Sequence, residues 1–212
     1  LVDSLTMRQE PDGSLIRLCP FCRQVLVGDT TCACDQQAEV PLLERRHAVC
    51  PSCRGRYREN LAIPYYQRYE PLLVSGHCPS HHLFMRSLDN DTSDALRQAE
   101  EIRKTLRFYS EDFAVEPGRK SIQLLRRGID NYLDLFSSRQ LLVMQSAADH
   151  IANLDGMRQL NLALLLSTSL EFNSLLSGYK GKNKRRPGAI RHAFAHHAYS
   201  FPYTALENNP IY

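Results

Sequence analysis

The amino-acid sequence predicts a chain built in two styles. A small module of short strands and loops spans residues 1–90, and a mainly α-helical region follows over 91–176, with a basic, aromatic loop segment over 177–212. Three observations carry this. All seven cysteines lie between Cys19 and Cys78. The same stretch is rich in turn residues and short of long helical periodicity. From residue 91 onward, apolar residues recur at three- and four-residue steps through four successive segments.

The cysteine clustering needs a local cause. An odd count, two CxxC pairs and an N-terminus without a charged-then-apolar-then-small pattern argue against a secreted disulfide framework and for metal ligation. The chelating pairs are Cys19-x2-Cys22, Cys32-x-Cys34, Cys50-x2-Cys53 and Cys78-x2-His81, with His82 beside the last. Two residues between cysteines let a tight turn aim both thiolates at one ion, and two such pairs complete the tetrahedron that structural zinc prefers. Seven cysteines and His81 thus supply two four-ligand sets, and the module is zinc-ribbon-like with two zinc ions expected.

Sequential pairing places Cys19, Cys22, Cys32 and Cys34 on one ion and Cys50, Cys53, Cys78 and His81 on the other. Short loops favour it, because they close at lower entropic cost. An interleaved arrangement with Cys19, Cys22, Cys50 and Cys53 on one ion is the alternative. A RING-type cross-brace fits poorly, since fifteen residues separate Cys34 from Cys50 where that fold allows only a few. With every ligand position filled by Cys or His, none is open to water, so both zincs are expected to be structural and not catalytic. His47 and His77 read as loop histidines, and Tyr57, Tyr65, Tyr66 and Tyr69 as the apolar filling of the zinc module.

In the first helical segment Ala95, Ala99, Ile102, Leu106 and Tyr109 share a face, with Asp91 or Ser93 as the expected cap. The second is expected from about Ser121 to Phe136, burying Ile122, Leu125, Ile129, Tyr132, Leu133 and Phe136 and weakened slightly by Gly128. A third starts at Ser137 or Ser138 and presents Leu141, Met144, Ala148, Ile151 and Leu154. The fourth, Met157 to Leu176, is apolar on several sides, as expected of a central helix.

Composition bounds the rest. At 212 residues, 43% hydrophobic and 23% charged, the chain is ordinary globular material with no run of about 18 apolar residues that would span a membrane. A cytoplasmic location is the expectation. The net charge of +3 names no partner, but its distribution is uneven. From Phe172 to Leu206 there is no acidic residue, while Lys180, Lys182, Lys184, Arg185, Arg186 and Arg191 are cationic and Gly178, Gly181 and Gly188 permit close backbone approach. That composition suits contact with the phosphates of DNA. The following cluster of His192, Phe194, His196, His197, Tyr199, Phe201 and Tyr203 is read most simply as packing on the helices.

From Arg119 to Asn209 the phrases RKSIQLLRRGIDNYLDLFSSRQLLVM, LLLSTSLEFNSLLSGYKG and PGAIRHAFAHHAYSFPYTALENNP resemble the central region of large bacterial and archaeal DNA methylases of the adenine-specific amino-methyltransferase type. Those enzymes carry a zinc-ribbon-like insertion where the cysteine-rich module sits here. The resemblance implies a fragment of a larger α/β methyltransferase that uses S-adenosylmethionine, and a chain opening on Leu1 fits that expectation. The sequence departs from the complete pattern. It has neither a glycine-rich cofactor loop after a strand nor an Asp/Asn-Pro-Pro-Tyr catalytic segment, and Asn209-Pro210-Ile211-Tyr212 matches the latter only superficially. No catalytic or S-adenosylmethionine-binding residue is therefore carried over, and the flanking methyltransferase domain is the implied partner. The rival reading is a stand-alone zinc-finger adaptor binding nucleic acid or protein.

Overall fold

The computed structural model describes residues 5–10, 12–19, 22–28, 32–34, 43–44, 47–49, 55–80, 82–110, 112–179, 190–195, 198–199, 201–202 and 205–207. The chain divides into two compact units. The first comprises Leu1–Asn60, Glu70–Leu88 and Tyr179–Ala189, the second Leu61–Tyr69, Asp89–Gly178 and Ile190–Tyr212. No helix among the described residues is long and apolar enough to cross a membrane.

The first unit is built of short antiparallel strands. β1 (Leu5–Gln9), β2 (Leu15–Leu18) and β3 (Val25–Val27) form a three-stranded sheet in sequence order, with an irregularity between Thr6 and Arg8. The β1–β2 turn is set by its residues. Asp12 accepts from the Ser14 amide at 2.9 Å and the Ser14 hydroxyl at 2.7 Å, and Gly13 takes φ +89°. The hydrogen bond from the Ser14 amide also holds the Asp12 carboxyl below its ordinary range. A second sheet joins β4 (Leu43–Glu44), β5 (His47–Val49) and β6 (Arg56–Tyr57). β7 (Leu73–Cys78) and β8 (His82–Ser87) make a hairpin in which Gly76 lies opposite Phe84. A Cβ at Gly76 would come within 2.6 Å of the Phe84 ring, so the glycine is what lets that ring cover the strand.

The second unit is helical and holds most of the buried apolar side chains. α1 (Asn90–Arg103) is capped by Asp89, which accepts from the Thr92 amide at 2.9 Å, so the cap falls two residues before the earlier of the two expected. α3 (Ser138–Ala152) starts as anticipated at Ser137 with a reciprocal capping box: Gln140 N donates to Ser137 Oγ and Ser137 N to Gln140 Oε1. Its face toward the core buries Leu141 and Met144.

The expected second helix is mostly absent. α2 covers only Ile122–Leu125, and a 3₁₀ turn follows at Tyr132–Leu135. Gly128 explains the break. It adopts φ +63°, and a Cβ there would meet Leu61 O at 3.0 Å, so the chain reverses where a helix would have continued. Leu124 and Ile129 are fully buried on either side of this reversal, and Ile122 is exposed. α4 (Gly156–Ser169) also differs from expectation. It ends seven residues early and buries none of its residues, with Met157, Leu160, Leu164 and Leu165 more than half exposed.

Two apolar clusters organise this unit. Tyr65, Val115, Leu124, Ile129, Leu135, Leu175, Leu176 and Ala193 form one, with Tyr66, Tyr69, Tyr199 and Phe201 packed against it. Leu106, Leu133, Leu141 and Met144 form the other. Tyr65, Tyr66 and Tyr69 therefore fill the helical core, whereas the sequence had suggested that they fill the cysteine-bearing module. Arg68 fastens their segment there, donating to Ile63 O and Arg127 O at 2.7 Å each.

Between α1 and the 3₁₀ turn lies a wholly buried arginine that amphipathic periodicity did not single out. Arg103 donates to Tyr109 Oη at 2.6 Å, Phe136 O at 2.8 Å and Leu133 O at 2.8 Å, and stacks 3.6 Å from the Tyr66 ring centroid. Asp134 Oδ1 stands 3.6 Å away. Burial raises the Asp134 carboxyl above its ordinary value, and the Arg103 charge offsets only part of that.

Candidate metal centre

The strand order of the first sheet builds half of a chelating site directly. β2 ends at Leu18 and β3 begins at Val25, in register as neighbours, so the six residues between them must turn tightly. Cys19 N donates to Gln24 O at 2.9 Å and Arg23 N to Cys19 O at 3.0 Å, closing the turn around the two cysteines. Arg23 takes φ +62°, an unfavourable conformation for a residue with a Cβ. Its guanidinium pairs with Glu70, and Ser87 Oγ donates to its carbonyl at 3.5 Å. Arg23 and Glu70 escaped the sequence reading, although a turn this tight after the second cysteine of a CxxC calls for a left-handed residue.

Cys32 and Cys34 supply the other half from the loop beyond β3. The ligand atoms of Cys19, Cys22, Cys32 and Cys34 all lie within 4.8 Å of one another. Cys19 and Cys34 sulfurs are 3.7 Å apart, Cys22 and Cys32 3.1 Å, and Cys32 and Cys34 3.2 Å. A tetrahedral ion with metal–sulfur bonds of about 2.3 Å would hold its sulfurs about 3.8 Å apart, so modest outward adjustment fits the group. Cys19 is buried, Cys22 is exposed, and Cys32 and Cys34 are half-buried.

The sulfurs oppose one another's ionisation. The Cys34 amide favours ionisation of Cys32, but the neighbouring Cys22 and Cys34 thiols and partial desolvation outweigh it, and the Cys32 thiol is pushed up to about 12. Four sulfurs at this spacing cannot all ionise against one another unless positive charge sits among them. The donor set is soft, which suits zinc or iron and not magnesium or calcium.

The structure thus gathers the four cysteines that sequential pairing assigns to the first site. Cys50, Cys53 and His81 lie outside the described residues, and Cys78 ends β7, half-buried. Of the cationic residues, Lys180, Lys182, Lys184, Arg185 and Arg186 also lie outside the described residues, and Arg191 sits in the short strand Ile190–Arg191. From the aromatic cluster, Tyr199 and Phe201 pack on the helical core as read from the sequence.

The four-cysteine group defines a chain able to hold a metal ion through a short-stranded unit. No family model, no curated protein and no solved structure matches it.

Proposed function

We propose that this chain is the zinc-stabilised, DNA-contacting central part of an S-adenosylmethionine-dependent DNA methyltransferase whose catalytic motifs lie outside these residues. The observation that carries the metal part is the convergence of four thiols from two chelating pairs on one point. A second zinc on Cys50, Cys53, Cys78 and His81 completes the reading. Four protein ligands per ion leave no open position, so each zinc works by folding its loops and not by activating water.

The methyltransferase part is supported by the sequence resemblance over residues 119–209. The cationic run supplies the phosphate contacts: Lys180, Lys182, Lys184, Arg185, Arg186 and Arg191, with no carboxylate among them to repel DNA. S-adenosylmethionine belongs to the full-length enzyme, since no glycine-rich loop to hold it is present here.

Two measurements test this. Metal analysis of the purified chain should find two equivalents of zinc, falling to one in Cys78→Ser with Cys19 and Cys22 still protected from alkylation. A single equivalent in the parent chain, or iron in place of zinc, would refute the two-zinc reading. Replacing Lys182, Lys184 and Arg185 together by alanine should weaken DNA binding and lower its salt dependence by about three phosphate contacts. Unchanged binding sinks the phosphate assignment and leaves the zinc-finger adaptor as the better account.

A further inference from the structure

Within the helical unit a cavity of about 670 Å³ opens between α3, the end of α4 and the 3₁₀ turn at Tyr132–Leu135. Five aromatic rings, Phe108, Phe113, Tyr132, Phe136 and Tyr199, line it together with aliphatic side chains from both clusters. Polar groups are few. Ser174 lines the cavity, is 3% exposed, and its hydroxyl has no hydrogen-bond partner among the described residues. Leaving a buried hydroxyl unpaired is unfavourable, so this group calls for a partner within the cavity. Glu171 and Thr168 stand among the lining residues as well, and none of the described lining residues is Lys, Arg or His.

We propose that this cavity is a binding site for a small aromatic amine. The rings and leucines take the aromatic body, Ser174 offers a hydrogen bond, and the Glu171 carboxylate accepts from the amine while disfavouring anions. His192 Nδ1 lies 2.7 Å from Glu171 Oε1. The site does not depend on the metal or DNA readings, because every lining residue belongs to the helical unit.

The test uses two probes with one aromatic frame, N-phenyl-1-naphthylamine and its anionic relative 8-anilinonaphthalene-1-sulfonate, titrated into the whole chain at about pH 8. The amine should bind saturably at one site per chain, at least tenfold more tightly than the sulfonate. Thr168→Trp, a change on the exposed side of α4 that fills the cavity, should weaken amine binding at least tenfold; Ser167→Trp on the same rim serves if the first variant does not fold. Leu164→Gln, on the exposed face away from the cavity, should leave binding unchanged. Glu171→Gln should bring the two probes closer in affinity. Non-saturable binding, equal affinity for both probes in the parent, retention in the folded tryptophan variant, or loss in Leu164→Gln would each overturn the proposal, the last by placing the probe on the open helix face.

Discussion

In the cysteine-bearing unit Leu18, Cys19 and Leu26 are the buried apolar residues among those described, whereas the helical unit buries two clusters that include Tyr65, Leu124, Ile129 and Leu141. The contrast separates two ways of overcoming chain entropy. A buried leucine contributes about 1.5–3 kcal/mol, so those described here supply only a small part of what offsets the chain entropy of their unit. Four convergent thiols could add to it by holding an ion, since a structural zinc site supplies about 10–16 kcal/mol that is spent on folding. The helical unit has side-chain caps on α1 and α3, two apolar clusters and a buried guanidinium.

The largest expected effect tests that contrast. Removing metal with a high-affinity zinc chelator should collapse the amide resonances of β1, β2 and β3 while those of α1 and α3 keep their positions. Loss of both units together would show that the helical unit also relies on the metal, and preservation of both would show that the apolar contacts of the first unit suffice.

Next comes the converse experiment. Arg103→Ala removes three hydrogen bonds of 2.6–2.8 Å and leaves two carbonyls and Asp134 without their cation. A loss of about 3–5 kcal/mol in the helical unit is expected, with zinc content unchanged. Arg103→Lys should recover little, because one ammonium cannot reach all three acceptors from the plane of the guanidinium. Denaturant unfolding followed by helical circular dichroism, beside metal analysis, checks both.

A smaller effect is expected at Leu124→Ala. The side chain is fully buried in the first cluster, and its truncation should cost about 2–5 kcal/mol by cavity formation, again without changing metal content. A cost below 1 kcal/mol would mean that the cluster collapses readily around the gap.

How far these features were legible in the sequence depended on their range. The Cys19-x2-Cys22 turn is local, and its spacing alone foretold paired sulfurs. The capping box at Ser137 and Gln140 is equally local, and α3 begins where it should. Long-range facts were hidden. Tyr65 has the composition of filling for its sequence neighbours, yet it packs on Leu124 and Ile129, and nothing within residues 61–69 announces that. Gly128 looked like a mild weakness in a helix because its close approach to Leu61 O is a tertiary contact. Arg103 occupies a helix position where a charge usually faces water, and two of its three acceptors, Leu133 O and Phe136 O, come from a turn about 30 residues away.

The smallest expected effect concerns α4, where periodicity and structure disagree most. Its sequence is apolar on several sides, as in a central helix, but Leu165 is 65% exposed and no residue of the helix is buried. Leu165→Gln should therefore shift stability by no more than about 0.5 kcal/mol, since a substitution in water disturbs neither packing nor a buried polar group. Denaturant midpoints measured at low and high protein concentration check this. A cost above 1 kcal/mol at both concentrations would mean that the helix is covered within its own chain. If the cost grew with concentration, the apolar face would be covered by a second copy, because only association couples stability to protein concentration. A midpoint unchanged throughout would confine the support of the helical unit to the two clusters and Arg103, and sharpen the contrast with the cysteine-bearing unit.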